Sequence, residues 1–214
     1  MTGGLYTIGY AGLSAMDLTD MLAEYRIDTV LDVRSVPRSA YAPQFDKDAA
    51  AQILGRAGVR YVHMGRRFGA RPHDLLMYDS EGRADFSKIA GSEPFVAGLK
   101  NVSRGLAAGH RVALMCAEKD PENCHRAILV ARAFSLAGIQ ARHIRRNGGI
   151  QTQVQLDAVL LDRYFPHRAQ LSFGSLGMPH EQQLDEAYRM RGREIAYVRK
   201  NANAQANWHT VGAP

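Results

Sequence analysis

The stretch Cys116-Ala-Glu-Lys-Asp-Pro-Glu-Asn-Cys124-His125-Arg126 joins an apolar run to a helical pattern, and this junction decides the fold class. Residues 110–116 form a short apolar run that is typical of a buried strand. Residues 124–138 carry apolar side chains at helical spacing and end in a glycine, which predicts a helix. Ligands in open α/β sheets bind where strands end and helices begin. The stretch is therefore the first candidate for a functional site.

The turn between the two cysteines contains Asp120 and Pro121, a pair that favours the start of a helix. An aspartate at the N-cap and a proline at the first helical position would place Cys124 in the first helical turn. Cys116 would lie at the carboxyl end of its strand. Both sulfurs would then lie near the helix N-terminus, whose dipole stabilises a thiolate or a bound anion.

The rest of the chain alternates strand and helix patterns. Strands are predicted at residues 5–8, 29–33, 59–63, 110–116 and 141–144, and helices at residues 14–25, 47–57, 94–108, 124–138, 152–164 and 181–190. Alternation of this kind predicts a mostly parallel sheet with right-handed crossovers. The fold class is thus α/β: a single-domain, mostly parallel sheet flanked by helices, with a basic loop insertion and a helical C-terminal extension.

Two segments depart from the alternation. Residues 65–92 are too long for an ordinary connection and are expected to be a binding loop or a lid. We divide the chain into an α/β domain at residues 1–165 and a partly helical extension at residues 166–214, with a disordered tail from about residue 200.

Composition limits the classes of function. The chain has 214 residues, 46% of them hydrophobic, and 27 Lys and Arg against 21 Asp and Glu give a net charge of +6. No apolar run is long enough to span a bilayer and no signal-like segment opens the chain, so we expect no membrane partner and a cytoplasmic location. Two cysteines do not make a disulfide framework.

The positive charge predicts an anionic partner, with a nucleic acid or a nucleotide as the expected class. Arginines interleaved with glycine and proline, at Arg66, Arg67 and Arg71, suit phosphate recognition because the guanidinium forms paired hydrogen bonds. A solvated basic face explains the same pattern equally well. The sequence leaves the oligomeric state open.

Several short motifs occur in an order that resembles the domain-of-unknown-function 488 family. They are Thr7-Ile-Gly-Tyr10, Leu31-Asp-Val-Arg34 with Pro37, Arg38 and Phe45, Phe68-Gly-Ala-Arg-Pro72, the cysteine stretch, and His143-Ile144. The resemblance spans roughly residues 5–165, with a tail-like element at Glu186-Ala-Tyr-Arg and Ile195-Ala-Tyr197. Tyr10 stands where many members carry histidine. The resemblance implies a compact α/β fold and no particular reaction.

The leading functional hypothesis is an enzyme that processes a nucleobase or nucleotide by glycosidic or repair-type hydrolysis, with carboxylates as acid and base. The predicted catalytic residues are Asp32, Cys116, Glu118, Cys124 and His125. The predicted substrate-binding residues are Tyr10, Arg34, Arg38, Arg66, Arg67, Arg71 and Arg126. No cofactor and no metal enter this hypothesis.

Two other hypotheses use the same residues differently. In a thiol-dependent transferase, Cys116 or Cys124 is a nucleophile, although the spacing from either cysteine to Arg126 does not match a sulfurtransferase or phosphatase loop. In a non-catalytic adaptor, the cysteines, His125 and His143 bind zinc, and the protein binds a nucleic acid or another protein. Core packing of both cysteines, and a purely structural ion pair for Asp32, remain simpler explanations.

Overall fold

The computed structural model describes residues 3–166 and 178–199, and it contains one six-stranded sheet in the order β3-β2-β4-β1-β5-β6. The strands are β1 (Gly4–Gly9), β2 (Thr29–Asp32), β3 (Arg60–His63), β4 (Arg111–Cys116), β5 (Ala141–Ile144) and β6 (Ile150–Thr152). The first five are mutually parallel, and β6 pairs antiparallel with β5. The predicted α/β class and mostly parallel sheet are confirmed. The three-residue β6 was not predicted, because so short a strand leaves almost no periodic signal.

Eight α-helices surround the sheet in the part of the chain that the structure describes. They are α1 (Ala15–Glu24), α2 (Lys47–Arg56), α3 (Gly65–Phe68), α4 (Phe86–Gly91), α5 (Glu93–Ala107), α6 (Arg132–Leu136), α7 (Gln153–Tyr164) and α8 (His180–Ile195). Ser14 and Thr152 form capping boxes at the starts of α1 and α7. These side chains satisfy backbone N–H groups that a helix start leaves free.

The helices cover the sheet on both faces, because side chains of a strand alternate between faces. On one face, Tyr6, Ile8 and Met115 pack with Leu18 and Leu22 of α1. On the other face, Leu5, Leu114 and Cys116 pack with Phe95 of α5 and Phe134 of α6. Crossovers from β1 and β2 therefore run on the first face, and those from β3 and β4 run on the second.

The predicted start of the helix after the cysteine stretch was wrong. Pro121–Asn123 form a separate short 3₁₀ turn, and Asp120 caps nothing because Arg145 binds its carboxylate at 2.9 Å. Cys124 has extended backbone angles and precedes the helix, and its carbonyl accepts hydrogen bonds from the N–H groups of Ala127 and Ile128. The helix opens with a π-helical segment, Arg126–Ala131, and continues as α6. π-Helical turns occur frequently at functional sites.

The basic insertion and the C-terminal extension contact each other. Residues 65–92 contain α3, a 3₁₀ turn at Leu75–Met77 and α4, so this segment is more ordered than a plain loop. The backbone of Tyr197 and Arg199 bonds to Ala84 and Gly82 of the insertion at 2.9 and 2.8 Å. Residues 167–177 and the tail from residue 200, where disorder was predicted, lie outside the described residues.

None of the helices in residues 3–166 and 178–199 combines the length and the apolar character that crossing a membrane requires.

His143 of β5 is fully buried and bonds through Nδ1 to the Thr7 hydroxyl at 2.9 Å. Burial and the positive charge of Arg126 lower the pKa of His143 to about 3. An unfolded histidine has a pKa near about 6.5, so the unfolded chain binds a proton that the folded chain excludes as the pH falls below this value. The free energy of unfolding then loses about 1.4 kcal/mol per pH unit from this one group.

We expect His143→Asn to flatten the loss of stability between about pH 6 and pH 4.5 by the slope of about one proton. Denaturant unfolding at several pH values measures this slope for both proteins. His73→Asn, at an exposed histidine, is the matched control for the substitution itself. Parallel curves for the wild type and His143→Asn would show that His143 is not the excluded proton site.

Candidate functional site

The carboxyl ends of β1, β2 and β4 lie at the same edge of the sheet, where successive connections leave toward opposite faces. The chain leaves β1 and β2 toward the face of α1 and α2, and it leaves β4 toward the face of α6. Connections that diverge in this way open a crevice beyond the strand ends, where open α/β sheets bind ligands. Cys116 ends β4 directly opposite Gly9 of β1.

The crevice contains a cavity of about 340 Å³. Its lining consists of Tyr10, the segment after β2 at residues 34–36 with Arg38 and Ser39, Ala70 and Arg71 of the insertion, residues 116–118, residues 123–125, and Ile195 and Tyr197 of the extension. Cavities of about 300–1,000 Å³ bind small molecules. The cavity therefore suits a ligand at the small end of this range.

Two sulfurs and an imidazole converge on one wall of the cavity. Nδ1 of His125 lies 3.8 Å from Sγ of Cys116 and 3.9 Å from Sγ of Cys124. The three ligand atoms lie within 4.8 Å of one another, and we call these residues the Cys-Cys-His cluster. Both cysteines are buried and reduced in the structure, yet both line the cavity. Core packing alone does not explain this placement.

The two thiols ionise as a pair. Their hydrogen bond to each other and their burial raise the pKa of Cys116 well above its ordinary value. Burial opposes ionisation of Cys124 as well, but the bond from Cys116, the charge of Arg126 and the contact with His125 bring its pKa well below the ordinary value. Burial also opposes the charged form of His125, and its bonds to Cys124 and to the Val33 carbonyl outweigh this and raise its pKa. The pair thus holds one proton strongly and the other weakly.

Asp32 and Arg34 form a buried ion pair beside the cavity. Nη2 of Arg34 lies 2.5 Å from Oδ2 of Asp32, and the side chains are 5% and 0% exposed. Arg34 also donates to the Tyr10 hydroxyl at 2.7 Å and to the Phe45 carbonyl at 2.8 Å, while Tyr61 donates to Asp32 at 2.7 Å. Burial raises the pKa of the Tyr61 hydroxyl, and the hydrogen bond to the Asp32 carboxylate raises it further. Asp32 is therefore occupied by protein partners.

Arg126 holds the loop that follows Cys116. Its fully buried guanidinium donates to the carbonyls of Glu118 and Lys119 at 2.5 and 3.0 Å. Gly9 packs against the same loop, so closely that a Cβ atom there would lie 1.8 Å from the Glu118 carbonyl oxygen. Arg126 thus positions the loop rather than a ligand.

The structure brings most of the predicted site residues together. Those that line the cavity are Tyr10, Arg34, Arg38, Arg71, Cys116, Glu118, Cys124 and His125. Asp32 and Arg126 are fully buried and do not line the cavity. Arg66 and Arg67 are exposed on α3 and do not line the cavity.

Sequence reasoning missed several residues of the lining, some beside predicted residues and some in the C-terminal extension. Ser35, Ser39, Asn123, Ile195 and Tyr197 line the cavity, and the ring of Tyr197 stacks 4.6 Å from the Arg71 guanidinium carbon. Arg191 of α8 is buried, donates to the Glu122 carbonyl at 2.7 Å and bonds to the Asn123 side chain. For the residues of the extension, the sequence signal was the Ile195-Ala-Tyr197 motif of the family resemblance, which does not indicate the part of the chain that it contacts.

A larger cavity, of about 700 Å³, lies between α4, the helix that begins at Arg126, and α8. Its lining includes Ile128, Leu129 and charged side chains that already form ion pairs, such as Arg132 with Asp185 at 2.5 Å. No cysteine or histidine lines it within residues 3–166 and 178–199. The smaller cavity is therefore the candidate site.

Together, the fold and the cavity define an open, mostly parallel α/β protein with a ligand site at the carboxyl ends of its strands. Residues 14–133 match the family described as Domain of unknown function DUF488, and the chain belongs to this family. The match covers more than half of the chain and includes the whole cysteine stretch, which confirms the family that the motifs predicted, over a shorter span than the predicted residues 5–165. No curated protein and no solved structure matches the chain.

The environment of Asp32 predicts a large effect on stability. We expect Asp32→Asn to lower the free energy of unfolding by about 3–5 kcal/mol, because it leaves the buried guanidinium of Arg34 without its charge partner. Denaturant unfolding measures the loss. Asp185→Asn, which removes an exposed partner of Arg132, is the control and costs at most about 1 kcal/mol. An Asp32→Asn protein of unchanged stability would refute the structural role.

Arg191 gives a second expectation. Arg191→Ala leaves the Glu122 carbonyl and the Asn123 side chain without their donor, so amide hydrogen exchange at residues 121–124 speeds up and stability falls by about 1–3 kcal/mol. Hydrogen exchange read by mass spectrometry checks this. Arg189→Ala, on the exposed side of the same helix, is the matched control. Equal exchange at residues 121–124 in the two variants would contradict the positioning role.

Proposed function

We propose that this protein is an enzyme that acts on a small phosphate-bearing substrate, with nucleotides as the expected class, and that the reaction takes place at the Cys-Cys-His cluster. The observation that carries this proposal is that the cluster lines the same cavity as Arg38 and Arg71, two arginines without a carboxylate partner among the described residues. Thiols and an imidazole, which can act as nucleophile, acid or base, therefore share a cavity with guanidinium groups that can bind an anion.

The charges of the lining favour an anionic substrate. Arg38 and Arg71 are exposed, and neither has a carboxylate partner among the described residues. Glu118 is the acidic residue of the lining, and the charge of Arg34 is neutralised by Asp32. The cavity therefore carries excess positive charge, and arginine forms paired hydrogen bonds with phosphate.

The reacting groups differ from those of the leading sequence hypothesis. Asp32 is fully buried and hydrogen-bonded on both oxygens, so it has no free lone pair directed at the cavity. Cys116, Cys124 and His125 line the cavity, and their side chains contact one another there, while Nε2 of His125 is bonded to the Val33 carbonyl. Glu118, which is exposed, is the carboxylate that could carry a proton there.

The size of the cavity favours a small substrate over a long polymer. A volume of about 340 Å³ holds a ligand of mononucleotide size or less. A polynucleotide could insert only one nucleotide into the cavity, and the rest of the strand would lie on the surface outside it. Arg66 and Arg67, on the neighbouring surface, would be the contacts in that case, and the test below separates the two possibilities.

We expect Arg38→Ala and Arg71→Ala each to weaken the binding of a nucleoside monophosphate by at least about tenfold, because each removes a charged donor from the cavity. Isothermal calorimetry with adenosine and guanosine monophosphates measures the affinity. Arg66→Ala and Arg67→Ala are matched controls, since these arginines are exposed nearby but do not line the cavity.

A result in which all four variants weaken binding equally would place the anion on the outer surface and favour a polynucleotide. The absence of any binding of phosphate-bearing compounds by the wild type would refute the proposal. Inorganic phosphate, tested as a competitor, shows whether the phosphate group is the part that is recognised.

A further inference from the structure

The Cys-Cys-His cluster has the composition of a metal site. Thiolate sulfur and imidazole nitrogen are the ligands that zinc prefers in proteins. The three ligand atoms, Sγ of Cys116, Sγ of Cys124 and Nδ1 of His125, lie within 4.8 Å of one another. The cluster is therefore compact enough to hold a single ion.

The distances fit a tetrahedral centre. With zinc–sulfur and zinc–nitrogen bonds of about 2.3 and 2.0–2.1 Å, a tetrahedral arrangement puts sulfur and nitrogen about 3.6 Å apart. The two distances from Nδ1 of His125 to the sulfurs are 3.8 and 3.9 Å. These two distances exceed the tetrahedral value by about 0.2 and 0.3 Å, and the two sulfurs lie within 4.8 Å of each other.

The second ring nitrogen of His125 is held as it is in metal sites. Nε2 lies 3.0 Å from the Val33 carbonyl oxygen, which can only accept a hydrogen bond, so Nε2 carries the proton. Nδ1 is the nitrogen that faces the two sulfurs, and its lone pair becomes available to a metal when the ring gives up the proton at this atom. Histidine ligands of metals are usually oriented by such a bond from the other ring nitrogen to a carbonyl or a carboxylate.

Buried charge near the cluster favours the deprotonated sulfurs that a metal needs. The guanidinium of Arg126 is fully buried and bonds to carbonyl oxygens rather than to a carboxylate. A buried cation without a neutralising acid is costly unless negative charge lies nearby. The two sulfurs, which are deprotonated when they bind a metal, would supply this charge.

We propose that Cys116, Cys124 and His125 bind one zinc ion whose fourth coordination position opens into the cavity. Within the described residues the cluster contains no fourth cysteine, histidine or acidic ligand. His143, the fourth ligand of the adaptor hypothesis, is instead bonded to Thr7. Three protein ligands and one open position are typical of catalytic zinc sites, in which water or substrate completes the coordination.

This inference rests on the proposed function for the role of the cavity, because an open zinc position beside Arg38 and Arg71 can polarise an oxygen of a bound phosphate-bearing substrate. The metal site itself depends only on the cluster. The two proposals therefore fail separately.

The first experiment measures metal in the full chain, purified without chelators or an affinity tag that binds metals. Elemental mass spectrometry is expected to find one zinc per chain. Replacement by Co²⁺ is expected to give the visible absorption of a tetrahedral cobalt–thiolate centre. Cys116→Ser, Cys124→Ser and His125→Ala are each expected to lower the affinity for zinc by at least about tenfold.

His73→Ala, at an exposed histidine outside the cavity, is the matched control and keeps the full zinc content. Circular dichroism of each variant distinguishes loss of the metal from loss of the fold. If a cysteine variant does not fold, His125→Gln and competition of the wild type with a zinc-binding dye provide the affinity instead.

Wild-type protein that stays metal-free after incubation with zinc, and whose two thiols are alkylated freely or join in a disulfide, would overturn the zinc site and favour thiol chemistry. Retention of zinc by all three variants would overturn the ligand assignment. Nucleotide binding by the metal-free protein would leave the proposed function intact, whereas zinc without any binding of phosphate compounds would refute the substrate proposal alone.

Discussion

The buried ion pair of Asp32 and Arg34 organises the sheet edge on which the candidate site is built. Arg34 bonds to Asp32 after β2, to Tyr10 after β1 and to the Phe45 carbonyl, while Asp32 receives a bond from Tyr61 of β3. Every charged atom of the pair is thereby satisfied, which a buried pair requires if it is not to destabilise the fold. One pair fixes three chain segments at the rim of the cavity.

The sheet and most helices could be predicted from the sequence because they are local features. Strands such as Thr29–Asp32 are continuous apolar runs, and α1 has both an apolar stripe and the capping residue Ser14. The start of the helix after Cys124 could not be predicted. Whether Asp120 caps a helix depends on Arg145, which lies 25 positions away in sequence and takes its carboxylate.

The candidate site was predictable only in part, for the same reason. Residues at the ends of β1, β2 and β4 meet because parallel strands end at one edge, and this placed Tyr10, Arg34 and Cys116 together in advance. The sequence could not show which of these side chains have protein partners and which are left to face the cavity. The sequence identifies Asp32 as a candidate acid or base, but in the fold Tyr61 and Arg34 donate to its carboxylate, which gives it a structural role.

The C-terminal extension shows how a cavity comes to depend on a segment far from its motifs. Arg191 fixes the turn between the two cysteines from α8, and Tyr197 stacks on Arg71 at the cavity wall. The insertion that carries Arg71 is itself bonded to the extension through Ala84. A change in the docking of α8 therefore alters the turn between the two cysteines and the position of Arg71 together, so that two walls of the cavity are coupled through this helix.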